Sequence, residues 1–369
     1  MLDLARELRR WRAEGRELAV ATVIATKGSA PRLPGAAMAV DREGAVIGSV
    51  SGGCVEGAVY ELCRQAITDG QRVVESFGYS DDEALAAGLT CGGVIDILVT
   101  PVGPRATPVL DAALDAVARD LPVALVRVVA GPDVPSGAIL AVSADGTYRG
   151  SLGGRAAWDR AVAGEAAGWL AADRTGLIRR EVEGTTITLF VETSTSAPRL
   201  IVFGATDVAG ALIRIGAQLG YRTTLCDARP VFATPERFPE ADEVVVAWPH
   251  VYLATTGVDE RTAVCVLTHD PKFDLPLLEA ALRLPVAYVG AMGSRRTHEE
   301  RMARLREAGV EEPALARLRS PVGLHLGART PAETAVSIAA EILAARYGGT
   351  GVPLTGSSAL LHAGREEPA

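Results

Sequence analysis

The sequence has few cysteines, and they form no pattern that would hold a metal ion or a disulfide framework. Five occur in 369 residues, widely spaced, and no two have the Cys-x-x-Cys spacing. A disulfide-rich scaffold and a zinc knuckle are therefore both poorly supported. We expect reduced thiols, as in a cytoplasmic protein.

Long apolar runs and an excess of positive charge are missing too. No run of about 18 uncharged apolar residues occurs, so we expect no membrane-spanning helix. The first 16 residues alternate Leu and Ala with Arg and Glu at helical spacing and lack the apolar core of a signal peptide. The net charge of −8 argues against a nucleic-acid partner held by bulk electrostatics. With 48% apolar and 22% charged residues, the composition is that of an ordinary globular protein.

The length suggests about two domains, and a polar segment separates two stretches of different character. This segment, 192–198, is rich in Ser and Thr and ends in Pro, which is typical of a domain boundary. Residues 1–195 have short apolar runs broken by turns, whereas residues 199–346 alternate short apolar strands with helical patterns. The glycine-containing tail, 347–369, is predicted to be flexible.

The first stretch repeats itself in sequence. Residues 19–54 can be laid over residues 121–156 without a gap, and glycines and apolar strand positions then coincide. The shared order is strand, hairpin turn, strand, glycine turn, strand, Gly-Gly and helix. We therefore predict an α+β domain with a pseudo-repeat over 19–101 and 121–192.

The second stretch has the pattern of a nucleotide-binding fold. The apolar run 200–203 predicts a parallel strand buried on both faces. A turn from Gly204 to Asp207 then leads into a helix, and a second strand ends at Asp227, about 20 residues past the turn. In a dinucleotide-binding unit the helix N-terminus holds the pyrophosphate and such an acid accepts from a ribose hydroxyl. We predict a Rossmann-like parallel sheet.

The glycine motif departs from the dinucleotide pattern at Thr206, where a second glycine is expected. A Cβ at this position crowds the pyrophosphate, so a Rossmann scaffold that has lost or altered its ligand remains an alternative. Arg229 could pair with a 2′-phosphate, which leaves NAD and NADP unseparated. Further strands are predicted at 243–247, 263–267 and 285–289, and helices at 275–282, 294–307 and 330–346.

An anion site is predicted where the last of these strands leads into a helix. The loop and first turn consist of Gly293, Ser294, Arg295 and Arg296. Arginines are unfavourable at a helix N-terminus, so we expect them to have an anionic partner. That partner is a ligand phosphate, or Glu299 or Glu300, or a group from another copy of the chain.

Two polar residues follow the strand predicted at 263–267. His269 and Asp270 could act as an acid–base pair. The commoner role of such a pair is to cap the next helix, and both alternatives stay open.

Cys54 is the cysteine best placed for chemistry. It follows Gly52 and Gly53 just before a helical pattern, and a helix N-terminus stabilises a thiolate. The amides of the same turn could also hold a phosphate. Cys91 lies in a second glycine turn, whereas Cys63 lies on the apolar side of the helix and is predicted to be core. Small residues packed in tight turns would also explain both glycine turns.

These segments together resemble the XdhC/CoxI family. The segments that look like its N-terminal domain are 25–32 and 51–56, and those that look like its C-terminal Rossmann domain are 226–229, 267–270, 293–297, 321–324 and 327–333. The resemblance covers residues 1–346, with several motifs in the family's order. It implies an XdhC/CoxI-type N-terminal domain and a Rossmann-like C-terminal domain.

The resemblance also implies a function. Members of the family are accessory proteins of molybdenum hydroxylases such as xanthine dehydrogenase. By resemblance, this chain binds molybdenum cofactor (molybdopterin), protects it while its terminal sulfur is installed, and hands it to an apo-hydroxylase. A cysteine desulfurase would donate the sulfur. We expect a cytoplasmic, homo-oligomeric chaperone rather than an enzyme.

Twelve residues are predicted to contact the cofactor, and no catalytic residue is assigned. They are Lys27, Gly52, Gly53, Cys54, Cys91, Gly204, Asp207, Asp227, Gly293, Ser294, Arg295 and Arg296. Cys54 would ligate molybdenum or carry a persulfide. Two other interpretations stay open: an NAD(P)-dependent oxidoreductase with His269 or Cys54 in catalysis, and a scaffold for hydroxylase assembly with a vestigial nucleotide fold.

Overall fold

The chain divides into two compact units, Met1–Ser196 and Ala197–Ser357, in a computed structural model. The structure describes residues 1–28, 32–78, 93–103, 108–131, 138–153, 156–182 and 185–355. The division falls inside the polar segment 192–198. Over these described ranges, no helix has the length and apolar character needed to cross a membrane.

The first unit consists of two antiparallel sheets and the helices that cover them. The strands are β1 (Leu18–Gly28), β2 (Ala37–Asp41), β3 (Val46–Gly48), β4 (Val73–Gly78), β5 (Gly93–Val102), β6 (Val123–Ala130), β7 (Ile139–Ser143), β8 (Tyr148–Ser151), β9 (Gly176–Val182) and β10 (Thr185–Ser194). The helices are α1 (Ala5–Ala13), α2 (Glu56–Asp69), α3 (Pro108–Ala118) and α4 (Ala156–Ala171), with a 3-10 turn at Leu2–Leu4.

Both sheets have the same strand order. The first is ordered β3-β2-β1-β5-β4 and the second β8-β7-β6-β10-β9. A helix precedes the first strand of each half, and another connects its third and fourth strands. The two halves of the unit therefore share one topology, as a pseudo-repeat would.

The strand register corrects the first part of the ungapped alignment. Ala19 lies opposite Val40 in the first sheet, and Ala124 lies opposite Val142 in the second. Ala19 therefore corresponds to Ala124 and not to Leu121. Both strands are runs of Ala and Val, so several offsets satisfy the apolar pattern equally well, and only the pairing distinguishes them.

From the second strand of each half onward the alignment holds. Met38 lies opposite Gly48, and at the aligned positions Leu140 lies opposite Gly150. The connection between the first two strands is therefore three residues shorter in the second half. The two glycines occupy equivalent tight places, because a Cβ on either would lie within 2.3 Å of a backbone oxygen of the neighbouring strand.

Each sheet of the first unit buries one face against the other half. Val20 of β1 and Leu125 of β6 lie in one apolar cluster with Trp11 of α1 and Leu114 of α3. The opposite face of each sheet is covered by a helix of its own half, α2 or α4. Neither half could bury both faces alone, so the two halves form one folding unit.

A buried charged cluster joins the halves. Arg127 of β6 donates to Glu192 Oε2 of β10 at 2.7 Å and to Thr22 Oγ1 of β1 at 3.1 Å. The Leu2 amide donates to Glu192 Oε1 at 2.5 Å. Burial raises the pKa of the Glu192 carboxyl, but the Met1 nitrogen and the Arg127 guanidinium outweigh burial and hold that pKa below its usual value. The pair is therefore charged in the folded protein.

Glu192→Gln is expected to destabilise the first unit because it leaves the Arg127 charge buried without its partner. Breaking a buried pair in this way costs about 3–5 kcal/mol, which urea denaturation can measure. The double variant Arg127→Met/Glu192→Gln removes both charges and should be more stable than Glu192→Gln alone. A double variant that shows the full sum of the two single losses would contradict the pairing.

The second unit is built on a six-stranded parallel sheet. Its strands are β11 (Arg199–Phe203), β12 (Arg222–Asp227), β13 (Glu243–Val246), β14 (Ala263–Val266), β15 (Tyr288–Ala291) and β16 (Leu318–Arg319). Its helices are α5 (Asp207–Gln218), α6 (Pro249–Thr255), α7 (Pro271–Arg283), α8 (Arg295–Glu307), α9 (Glu312–Leu315) and α10 (Pro331–Tyr347). The strand order β13-β12-β11-β14-β15-β16 is that of a Rossmann fold, which confirms the predicted fold class.

The boundaries differ from prediction in a few places. The strand predicted at 285–289 begins only at Tyr288, because Ala287 still donates to Thr262 O from the preceding loop. Its later end brings Gly290 into the strand, where a Cβ would lie 2.6 Å from Val322. The last helix ends at Tyr347, and the part of the predicted flexible tail beyond residue 355 lies outside the described residues.

Candidate functional site

The loop that carries Cys54 connects β3 to α2. Gly52 and Gly53 have φ angles of +84° and +129°, which favour glycine. A Cβ on either glycine would meet nothing within 4 Å, so the requirement comes from the backbone and not from crowding. The helix begins at Glu56, and Cys54 is exposed just before it.

The carboxylate of Glu56 fills the centre of this loop. Its Oε1 accepts from the Ser51 and Gly52 amides at 2.9 Å and from Ser49 Oγ at 2.7 Å. Its Oε2 accepts from the Gly53 amide at 2.8 Å and from the Ser51 hydroxyl. The amides that the sequence predicts as a phosphate cradle are therefore occupied by the protein's own carboxylate.

The Glu56 charge changes the electrostatics of the turn. Burial raises the pKa of the Glu56 carboxyl, but the hydroxyl and amide donors outweigh burial and hold that pKa far below its usual value. A permanent negative charge thus lies at the start of α2 and offsets the positive end of the helix. The helix-dipole argument for a Cys54 thiolate loses its basis, and the loop's contribution is a fixed backbone that presents the thiol to solvent.

The other predicted residues of the first unit are placed separately from this loop. Lys27 is exposed near the end of β1, and no hydrogen bond or ion pair joins it to the loop in the described ranges. Cys63 is fully buried in the core between α2 and the first sheet, as predicted, and burial raises the pKa of its thiol to about 12. Cys91 lies outside the described residues.

In the second unit, the turn after β11 is closed by the chain itself. Gly204 has a φ of +106°, and a Cβ there would lie 2.7 Å from Thr268 Cγ2. Thr206 caps α5, since its Oγ1 accepts from the Ala209 amide at 3.2 Å. Asp207 is exposed in the first turn of α5, where its carboxylate complements the helix dipole and would repel a pyrophosphate.

Asp227 is engaged with the same turn. Its Oδ2 accepts from the Ala205 amide at 2.8 Å, and its Oδ1 accepts from the Arg229 amide at 2.9 Å. The Arg229 guanidinium donates to both oxygens, at 2.9 and 2.7 Å. Burial raises the pKa of Asp227, but these donors outweigh burial and lower it. Both oxygens predicted to receive a ribose hydroxyl are therefore taken by the protein.

The predicted anion loop forms as a helix start. Ser294 caps α8, because its Oγ accepts from the Thr297 amide at 3.1 Å. Arg296 pairs with Glu300 at 3.0 Å, both largely exposed, so the salt-bridge alternative holds for Arg296. Arg295 is exposed, and among the described residues it makes no ion pair.

His269 and Asp270 do not form an acid–base pair. Asp270 caps α7 by accepting from the Lys272 amide at 3.1 Å, and its carboxylate pairs with Lys272 Nζ at 3.0 Å. His269 is exposed beside it. The capping alternative is therefore confirmed.

A buried polar cluster behind these loops gave no sequence pattern. Arg301 of α8 donates to Met292 O at 2.9 Å and to Ser320 Oγ at 2.8 Å, and it lies 3.4 Å from Asp274 Oδ2. Thr268 donates to the same Asp274 carboxylate. The cluster ties together the segments that follow β14, β15 and β16. Arg301 is one of several arginines on α8, and only its burial distinguishes it.

The described residues contain no cluster of three or more His, Cys, Asp or Glu side chains suited to a metal ion. Cys54 therefore stands by itself as a candidate molybdenum ligand in the part of the chain that is described. Any metal bound through Cys54 would have to bring most of its other ligands with it. A metal already held by an organic cofactor meets that requirement.

Comparison with known proteins identifies the family. The model of the XdhC and CoxI family matches residues 11–78 and 116–181, and the model of the XdhC Rossmann domain matches residues 200–342. Together the matches cover well over half of the chain, and they include the Cys54 loop and the strands of the parallel sheet.

Individual relatives agree with this assignment. A protein of Bacillus subtilis (strain 168), named as a probable component of xanthine dehydrogenase, is 28% identical over 341 residues, which are 89% of this chain and 93% of the relative. The molybdenum cofactor insertion chaperone PaoD of Escherichia coli (strain K12) is 26% identical over 341 residues, which are 90% of this chain and 84% of the chaperone. The fold matches a solved structure of a xanthine dehydrogenase from Bacillus halodurans with a TM-score of 0.73 at 24% identity, over 97% of this chain and 98% of that one. The chain belongs to the XdhC and CoxI family.

Proposed function

We propose that this chain is an accessory protein that binds molybdenum cofactor, supports the installation of its terminal sulfur and delivers it to a molybdenum hydroxylase such as xanthine dehydrogenase. Family membership supports an accessory role, as do two relatives, one named as a component of xanthine dehydrogenase and one as a cofactor insertion chaperone. The observation that carries the proposal is the exposed Cys54 thiol on a loop that Glu56 holds in place.

The Cys54 loop suits such a cargo in its donor atom and in its open surface. A thiolate is a soft ligand for a transition metal, and it could alternatively carry a persulfide. The two glycines before it leave open space where a Cβ would otherwise project, so a pterin ring can approach the backbone. Because the loop amides are taken by Glu56, the cofactor phosphate must be held elsewhere.

The partners follow from the same proposal. An apo-hydroxylase receives the cofactor, and a cysteine desulfurase supplies the sulfur. We expect a homodimer that acts in the cytoplasm, where thiols remain reduced. Arg295 has no ion pair in the described residues, and we retain it as a candidate contact for an anion of cofactor or partner.

An NAD(P)-dependent oxidoreductase is less well supported. Asp227 has both oxygens engaged, Thr206 caps its helix, and Asp207 puts a negative charge where a pyrophosphate would bind. Asp270 serves as a helix cap and not as a partner of His269. A catalytic role for NAD(P) therefore has no observation in its favour.

Cys54→Ser is expected to lose bound cofactor without loss of fold. The side chain is exposed, and serine is nearly the same size, so thermal stability should stay within about 0.5 kcal/mol of wild type. Molybdenum retained after gel filtration should fall, because the hydroxyl is a poor soft-metal ligand. Cys63→Ser is the matched control: it buries a hydroxyl and should lower stability while retaining cofactor. Full retention by Cys54→Ser would refute the role of its thiol.

Glu56→Gln is expected to loosen the loop. A glutamine has one acceptor oxygen for five donors, and the loss of charged hydrogen bonds should cost about 1–3 kcal/mol. Since the folded-state pKa of Glu56 is depressed, its stabilising effect is fully present above its unfolded value of 4.5 and is lost as the pH falls below it. Urea denaturation between pH 3 and 7, about the range over which a carboxyl titrates, measures both.

Glu61→Gln is the control for Glu56→Gln, because it removes the same charge from an exposed position of the same helix. It should change neither stability nor cofactor retention, whereas Glu56→Gln should lower both. Equal pH profiles for wild type and Glu56→Gln would contradict the role of the carboxylate.

Nucleotide binding by the second unit is expected to be weak. Calorimetry with NAD, NADP and cytidine nucleotides should give dissociation constants well above micromolar, because Asp227 is occupied by Arg229. Arg229→Ala should bind NAD more tightly than wild type, since it frees positions on both Asp227 oxygens. Sub-micromolar binding of NAD by wild type would contradict this account.

A further inference from the structure

The second half of the first unit contains a pocket at a place that side chains fill in the first half. The pocket has a volume of about 520 Å³ and opens between α3 and the strands β6 to β8. We call it the α3 pocket. It is lined by Ala112, Asp115, Ala116, Arg119, Leu121, Val123, Ala141, Ser143, Thr147, Tyr148 and Arg149.

The repeated topology shows which residue of the first half takes each place of the α3 pocket. At the end of α1 the Arg16 amide donates to Trp11 O, and at the end of α3 the Leu121 amide donates to Ala116 O in the same capping pattern. Ala116 therefore stands where the first half has Trp11. Leu121 likewise stands where the first half has Arg16.

The strands extend this correspondence. Leu18 lies opposite Asp41 in the first sheet, and Val123 lies opposite Ser143 in the second. Ser143 therefore stands where the first half has Asp41. The hairpins that follow have the same hydrogen bonds in both halves, which fixes the equivalence of the next strand as well.

In the first half, an indole and an ion pair fill this space. Trp11 is 3% exposed and lies in the central apolar cluster. The Arg16 guanidinium lies 5.2 Å from the centre of the Trp11 ring and pairs with Asp41 at 2.7 Å. Asp41 is fully buried. The fold thus shows what shape of group suits this place: a flat bicyclic ring with a guanidinium at its edge.

In the second half, the three filling residues are replaced by Ala116, Leu121 and Ser143, and the space opens. The rim becomes basic at the same time. Arg119 and Arg149 are exposed there, and in the described part of the chain neither has a hydrogen bond or an ion pair through its side chain. The acid of the rim, Asp115, is paired with Arg9 at 2.7 Å. Two arginines without partners at one opening, in a chain of net charge −8, indicate an anionic ligand.

We propose that the α3 pocket binds a planar bicyclic heterocycle that carries a phosphate group. The ring would lie over Ala116 and Ala141, in the place that the Trp11 indole occupies in the other half, and the phosphate would accept from Arg119 and Arg149. The volume lies within the range of about 300–1,000 Å³ that is usual for small-molecule sites. A pterin phosphate and a purine nucleotide share this chemistry. The pterin source rests on the proposed function, whereas the purine source does not.

The test is calorimetry on the full chain with three probes. Guanosine 5′-monophosphate supplies a purine ring, 6-hydroxymethylpterin diphosphate supplies a pterin ring, and ribose 5-phosphate supplies a phosphate without a ring. We expect at least one ring probe to bind clearly more tightly than ribose 5-phosphate. Loss of one arginine, in Arg119→Ala or Arg149→Ala, should weaken that binding by about tenfold to a hundredfold.

Ala116→Trp should abolish ring binding, because it restores the side chain that fills the equivalent space in the first half. Its thermal stability should equal or exceed that of wild type. If it does not fold, Ala116→Leu fills part of the pocket and should weaken binding to a smaller degree. Arg160→Ala is the charge-matched control, since Arg160 is exposed on α4, which covers the opposite face of the sheet.

Three results would overturn the assignment. They are failure of both ring probes to bind more tightly than ribose 5-phosphate, unchanged ring binding by Ala116→Trp, and equal weakening by Arg160→Ala and the two rim variants. Activation of a hydroxylase that is lost in Ala116→Trp, with no ring binding by wild type, would replace the heterocycle with a protein partner. Because Cys54→Ser leaves the α3 pocket intact, failure of the cofactor role at Cys54 is distinguishable from failure here.

Discussion

The first unit depends on one constraint: each five-stranded sheet has an apolar face that only the other half can bury. Val20 and Leu125 meet in the same cluster with α1 and α3, while the outer faces are covered by α2 and α4. The buried cluster of Arg127, Glu192 and Thr22 lies at this junction and fixes the pairing of the two halves. A half that lost its partner would expose both an apolar face and a buried charge.

That constraint leaves other parts of each half free to diverge. Positions that face the shared core must keep their apolar character, whereas the loop after the third strand and the outer end of the first helix do not contribute equally to it. The first half carries a thiol on its loop and fills its helix end with Trp11. The second half has Ala156 where Cys54 would align, and it opens the α3 pocket where Trp11 would lie. The two halves thus offer different chemistry on one scaffold.

The sequence predicted the elements well where local pattern determines them. A buried parallel strand is a continuous apolar run, so 200–203 predicted β11, and Thr330 with Pro331 predicted the start of α10. The roles of charged residues were less predictable, because they depend on partners brought close by the fold. Asp227 had the right spacing for a ribose, but Arg229 takes its oxygens, and Glu56 turns inward to the amides that a phosphate was expected to use. The correspondence of Trp11 with Ala116 needed the strand register, because a three-residue difference in one loop hides it.

The second unit keeps the Rossmann order but closes its phosphate turn with Thr206, Asp207 and Asp227, which shifts the account toward cargo binding by the first unit. The most direct test is what co-purifies with the wild-type protein from cells that make molybdenum cofactor. The account predicts molybdenum together with a fluorescent oxidised pterin, in comparable molar amounts. Release of NAD(H), with neither molybdenum nor pterin present, would contradict it.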